Sequence, residues 1–197
     1  MDTLARMTTG DLLDRLASKS PVPGGGAVAG LVGAQAAALA RMVVSYSLGR
    51  RSLADHQREL EGAALQLDNA RGVLLALADE DAQAYAALSN AWGSRGDDRA
   101  VFEAAVRSAI RVPQAVVAAC GDLLRLCERL GPISNPNLRS DLVGAAVLAE
   151  ASSVAAGLNI RVNALQLADA AERDGVLSSL DAALVEHAAR RDAVVRV

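Results

Sequence analysis

The chain of 197 residues is predicted to fold as an all-α protein, a single up-and-down bundle of long helices. Three observations carry this. Alanine makes up roughly a fifth of the sequence, far above ordinary usage, and alanine is the best helix former and a poor strand former. Hydrophobic residues reach 52% while aromatics are only 2%, so the core must pack through small side chains that let helices approach closely. Long stretches with helical apolar spacing are separated by short Gly- and Pro-rich connections. That pattern describes a bundle, and 197 residues are ample for one domain with a sizeable core.

The elements follow in order. A short amphipathic helix is predicted over 9–17, with Thr9 as its N-cap candidate. Ser20-Pro21-Val22-Pro23-Gly24-Gly25-Gly26 is a stiff, bare loop. A helix over 26–48 is apolar nearly all round and should be the most buried one. Gln35 and Arg41 interrupt it, so it reads as a core helix, not a membrane span. From Ser52 to Ala91 the apolar positions Leu53, Leu60, Ala64, Leu67, Leu74 and Leu77 predict one very long helix, bent near Gly62 or Gly72 if anywhere. Gly93-Ser94-Arg95-Gly96-Asp97-Asp98 is a turn. A helix starts at Asp98, and Pro113 either kinks it or opens its successor. Gly131-Pro132-Ile133-Ser134-Asn135-Pro136-Asn137 is a second rigid loop, and Ser140 is the predicted N-cap of a helix over 141–172. Gly175 should separate that helix from the last one, which ends near Val194.

Charge and cysteine usage narrow the function classes. A net charge of −3 and a pI of about 5.4 give no footprint for nucleic acid or an anionic membrane. Cys120 and Cys127, seven residues apart on one helix, are about 10.5 Å apart, too far for a disulfide. They read as buried thiols of a reducing, cytoplasmic compartment, and residues 1–16 carry no signal-peptide core. His56 and His187 stand alone, so no metal site is expected.

Four places concentrate polar groups that a bundle core would not choose. The Pro/Gly loop runs straight into a helix N-terminus, which exposes main-chain N–H groups suited to an anion or a flat polar ligand. It is neither a phosphate-binding P-loop nor a dinucleotide fingerprint, because neither spacing is met. Asp81 and Tyr85 share a helix face at i,i+4. Asn135-Pro136-Asn137-Leu138-Arg139-Ser140-Asp141 is rich in small polar groups, and Asn159 and Asn163 sit one turn apart in an alanine-rich helix. Each has a structural reading as well. A glycine run can be a close-packed connection, Asp79 to Asp81 a solvated turn, Ser140-Asp141 a cap, and the two asparagines interhelical hydrogen bonds.

Taken together, in this order and over about residues 8–170, the four motifs resemble the cyclodeaminase/cyclohydrolase family. That family includes the C-terminal domain of formiminotransferase-cyclodeaminase and stand-alone methenyltetrahydrofolate cyclohydrolases. The resemblance implies an all-α homodimer acting on the one-carbon group between N5 and N10 of tetrahydrofolate. The folate is then substrate, and no permanently bound cofactor is expected. Cyclohydrolase is the first reading and cyclodeaminase, with release of ammonia, the second. A non-catalytic folate-binding or helical assembly module is the third. The third draws on departures from the family pattern: Ala27 and Ser45 stand where Ser and Asn are usual, Arg50-Arg51 replaces a lysine-rich helix end, and Lys19 is the only lysine.

The chemistry passes through a tetrahedral carbon flanked by two nitrogens, starting from a cation. It calls for a carboxylate to offset charge and move a proton, with amides to orient water. Asp141 is the expected carboxylate, Asn135 or Asn137 the orienter, and Asp81 the substitute base. Gly24, Gly25 and Gly26, with Ser140 and Asn159, are expected to bind substrate, and Arg50, Arg51 or Arg139 to meet the folate glutamates. One geometric tension follows. Asp141 and Asn159 on one helix are about 27 Å apart, so either a partner subunit unites them or Asn159 and Asn163 are structural.

Overall fold

The computed structural model describes residues 3–93 and 98–196. Ser94 to Asp97, most of the predicted turn, lie outside the described residues. Among the described residues six α-helices follow one another: α1 (Thr9–Ala17), α2 (Gly25–Ser45), α3 (Gln57–Trp92), α4 (Arg99–Leu130), α5 (Arg139–Ala164) and α6 (Ala170–Arg196). No strand occurs among the described residues. Helices α2 to α5 form an antiparallel ring in which α2 touches α3 and α5, and α4 closes the other side. Helix α6 lies outside the ring on α4 and α5.

Helix α2 is one wall of the ring, not its centre: it turns its small apolar residues inward and leaves Gln35 and Ala38 exposed. Ala27, Ala29, Ala36, Ala37, Ala40, Val43 and Val44 are fully buried. Small residues set the spacing: a Cβ on Gly30 would come within 2.9 Å of the Leu74 carbonyl on α3, and one on Gly33 within 2.9 Å of Ser152 Oγ on α5. Ser152 in turn donates to the Ala29 carbonyl at 2.7 Å and accepts from Cys120 at 3.2 Å. Both cysteines are free and buried, and burial pushes their thiols up, Cys120 to about 11 and Cys127 to about 12. Helices α2 and 136–164 are long and apolar enough to cross a membrane, and both form part of the ring.

Several boundaries differ from those predicted. Thr8, not Thr9, caps α1, its hydroxyl accepting from Asp11 N–H. Residues 51–56 form a 3-10 turn with Leu53 outside helical geometry, so α3 starts at Gln57. It then runs unbroken through Gly62 and Gly72. Asp98 caps α4, which continues unbroken past Pro113, so Pro113 does not open a new helix. Ser140 is not a cap: it lies inside α5, preceded by a 3-10 turn (Pro136–Leu138) that Asn135 caps. The helix predicted over 141–172 ends at Ala164, and α6 runs through Gly175. No glycine or proline marks that break. Buried Leu167 pulls the connection inward, and Asp169 takes the Ala171 N–H at 2.9 Å to begin α6.

Candidate active site

The Pro/Gly loop, α3, α4 and α5 enclose a hollow of about 260 Å³ at the N-terminal end of α2. Gly24, Gly25 and Gly26 form one wall, Asp81 and Tyr85 a second, Asn159 and Asn163 a third. A larger groove of about 570 Å³ runs between α3 and α4, where Arg125 is paired with Asp122 and Arg129 donates to Gln66. The smaller hollow combines a partly buried carboxylate, bare main chain and amide groups.

Asp81 is held by the helix it faces. Its carboxylate accepts the Ala27 N–H, one of the first-turn donors that α2 cannot satisfy internally. No side chain of the loop itself caps α2. Gly26 makes this possible, since a Cβ there would overlap the Asp81 carboxylate. Burial raises the Asp81 pKa above the usual carboxylate value, and the Ala27 hydrogen bond partly opposes the rise. The group therefore gives up its charge more readily than a surface aspartate. Ala27 itself is fully buried against Leu4 and Ala78, so its side chain faces the interior.

The two asparagines differ. Asn163 donates to the Ala109 carbonyl at 2.9 Å and ties α5 to α4. Asn159 lies beside Gly25, its amide nitrogen held by the Ala155 carbonyl one turn back at 3.1 Å.

The remaining motif lies elsewhere. Asn135 is buried, its N–H donating to Ser47 Oγ at 2.8 Å and its amide reaching the Tyr46 carbonyl at 3.4 Å. Its Oδ1 accepts the Asn137 N–H at 3.2 Å. These bonds fasten the second loop to the C-terminal end of α2. Asn137, Ser140 and Arg50 are exposed there and Asp141 is half-buried. Arg139 turns away, donating to the Val194 carbonyl at the end of α6, with its Nη1 buried and without a partner. Helix α2 has 21 residues, so about 30 Å separates its ends. Within one subunit the structure thus unites Gly24, Gly25, Gly26, Asp81 and Asn159, and keeps Asn135, Asn137, Ser140, Asp141, Arg50 and Arg139 apart from them. The Ala27 N–H, the partner of Asp81, has no signature in the sequence, because a main-chain donor belongs to every residue type. Among the described residues no group of three or more His, Cys, Asp or Glu side chains is placed to hold a metal ion.

The chain is similar to known proteins over nearly its whole length. A profile of the formiminotransferase-cyclodeaminase family covers residues 8–182. The methenyltetrahydrofolate cyclohydrolase of Methylorubrum extorquens is 30% identical over 189 residues, spanning 92% of this chain and 91% of that protein. The formimidoyltransferase-cyclodeaminase of Sus scrofa is 30% identical over 176 residues, and the match occupies only 32% of that longer protein. The crystal structure of formiminotetrahydrofolate cyclodeaminase from Thermotoga maritima superposes with a TM-score of 0.92 at 29% identity, covering 98% of this chain and 96% of that one.

Proposed function

The chain belongs to the formiminotransferase-cyclodeaminase family, and on that premise we propose that it is a methenyltetrahydrofolate cyclohydrolase, converting 5,10-methenyltetrahydrofolate to 10-formyltetrahydrofolate. The observation that carries the reading is Asp81: a carboxylate with a raised pKa, fixed beside bare main chain in a hollow. Such a group suits both halves of the hydrolysis. As carboxylate it opposes the charge of the methenyl cation and takes a proton from water as oxygen bonds to the carbon. As acid it returns that proton to N5 while the carbon–N5 bond breaks, the hydroxyl left on the carbon loses its own proton to water as its C=O forms, and the formyl group stays on N10. Asn159 orients the water or a ring nitrogen. The first-turn N–H groups at Gly25 and Gly26 face a pterin edge or a glutamate carboxylate. The substrate is its own electrophile, so no resident cofactor enters. The closely similar cyclodeaminases support a second reading, in which the same carbon loses ammonia.

A second copy of the chain completes this site. The outer face of α5 carries Val147, Ala151, Val154, Leu158, Val162 and Leu165 at helical spacing, the large ones 40% to 68% exposed. Beside it the outer face of α2 carries Leu31, Ala38 and Met42. The charged neighbours turn aside: Arg41 pairs with Asp68 of α3, and Arg161 with Asp181 of α6. An uncharged stripe of this size fits a two-fold homodimer. With the axis perpendicular to α2, the N-terminal end of one α2 meets the C-terminal end of the other. Asp141, Asn137 and Ser140 of one copy then face Asp81 and Asn159 of its partner, and Arg50 stands where folate glutamates emerge. The free, buried thiols agree with the cytoplasm as its compartment.

The test is loss of methenyltetrahydrofolate absorbance on adding the protein, beside ammonia release from the formimino substrate. Turnover in the first alone supports the cyclohydrolase, in the second the cyclodeaminase, and silence in both removes the enzymatic reading. The composite site is tested by co-expressing Asp81→Asn with Asp141→Asn. Each variant alone is inactive, while mixed dimers hold one intact site and restore about a quarter of wild-type activity. Near-normal turnover of Asp141→Asn alone overturns its role.

A further inference from the structure

The segment before the Pro/Gly loop holds that loop in place. It comprises a 3-10 turn (Leu4–Arg6) and α1, and it docks on α3 through buried Leu4, which packs with Ala27 and Ala78. Leu4 N–H donates to Asp79 Oδ1 at 2.8 Å. Asp79 lies two residues before Asp81, a rotation of about 200° on a helix. One turn of α3 therefore aims one carboxylate at the arm and another at α2. From the arm, Arg15 Nε donates to the Val22 carbonyl at 3.3 Å, and Ser20 Oγ meets the same carbonyl at 2.7 Å. Val22 is the partition: it lines the candidate site on one side, and on the other a hollow of about 300 Å³ shared with Arg15 and Asp79.

We propose that Arg15 and Asp79 are positioning residues, which clamp the N-terminal arm against α3 so that the Val22 carbonyl is anchored and the Gly24 to Gly26 main chain is presented to substrate in one conformation. Neither side chain lines the site, so their effect passes through the loop. The loop carries no regular hydrogen-bonding pattern of its own between Ser18 and Gly24, and the two bonds to Val22 are what fix its course. Losing one ordering bond weakens substrate binding and leaves the chemistry at Asp81 in place.

The kinetic arm of the test rests on the cyclohydrolase reading; the exchange arm does not. Arg15→Ala and Asp79→Ala are expected to raise KM for methenyltetrahydrofolate about five- to tenfold, with kcat within about twofold. Amide hydrogen exchange across residues 24–27 of the ligand-free protein accelerates in both, with the thermal midpoint little changed. Two conservative variants should restore KM and protection: Asp79→Asn keeps an acceptor oxygen for Leu4 N–H, and Arg15→Gln keeps a donor at the position of Nε without the charge. Unchanged KM and exchange in the alanine variants overturn the proposal. So does a fall in kcat that merely follows a lowered thermal midpoint, and so do conservative variants that behave like alanine. A wild-type protein without turnover counts against the cyclohydrolase alone, and exchange then decides on the clamp.

Discussion

At the scale of single residues, Asp81 and His187 show opposite uses of burial. Burial raises the Asp81 pKa, so the folded state is favoured most when the group is protonated. That stability is fully present below the ordinary carboxylate value and is lost as pH rises through the folded pKa. Asp81→Asn keeps an acceptor for the Ala27 N–H and removes the charge. Thermal unfolding at neutral pH should therefore show equal or greater stability, while turnover falls about a hundredfold or more. His187 is buried between α4, α5 and α6, its Nδ1 2.7 Å from Ser153 Oγ and its ring over Gly121, where a Cβ would meet Nε2 at 2.5 Å. Burial holds its pKa below 6.5; Glu186 and Glu150 oppose the shift, Arg125 and Arg190 reinforce it. Its contribution is present above 6.5 and is lost as pH falls from there through the folded pKa. Denaturant unfolding from about pH 8 to pH 5 should show this loss, and His187→Gln should flatten it.

At the scale of elements, the two ends of α2 carry the polar contacts that bear on the candidate residues. Helix α2 is satisfied at its start by a carboxylate from α3 and followed at its end by a loop riveted through Asn135. Asn135→Ala removes the bonds to the Tyr46 carbonyl and the Asn137 N–H. It should lower unfolding free energy by about 1–3 kcal/mol in a chemical denaturation, with helix content retained. Its site role is then tested by whether turnover per folded molecule also falls.

At the scale of the whole molecule, the ring of helices leaves one long uncharged face on α2 and α5. That face runs into the candidate site at Val162. Val154→Glu places a charge in the middle of the stripe. Light scattering should then report a monomer, circular dichroism an unchanged helical fold, and the assay a loss of turnover. A dimer that persists in this variant would place the interface elsewhere.

The all-α bundle was legible because alanine content, helical apolar spacing and Gly/Pro punctuation are local properties of the chain. Helix α1 came out at its predicted span, while α4 runs unbroken through Pro113, which the sequence left as a kink or a helix start. The α5–α6 break was not legible, because buried Leu167 and the cap at Asp169 decide it instead of a glycine. The candidate site divides the same way. Its residue types were visible as four motifs, and their order carried the family resemblance. Which motifs meet was decided only by the antiparallel course of α2, α3 and α5. That course sets Asp81 and Asn159 against Gly24 to Gly26 and leaves Asn135 to Asp141 a helix length away. Sequence spacing fixes which side chains share a helix face; proximity between helices depends on how the faces pack.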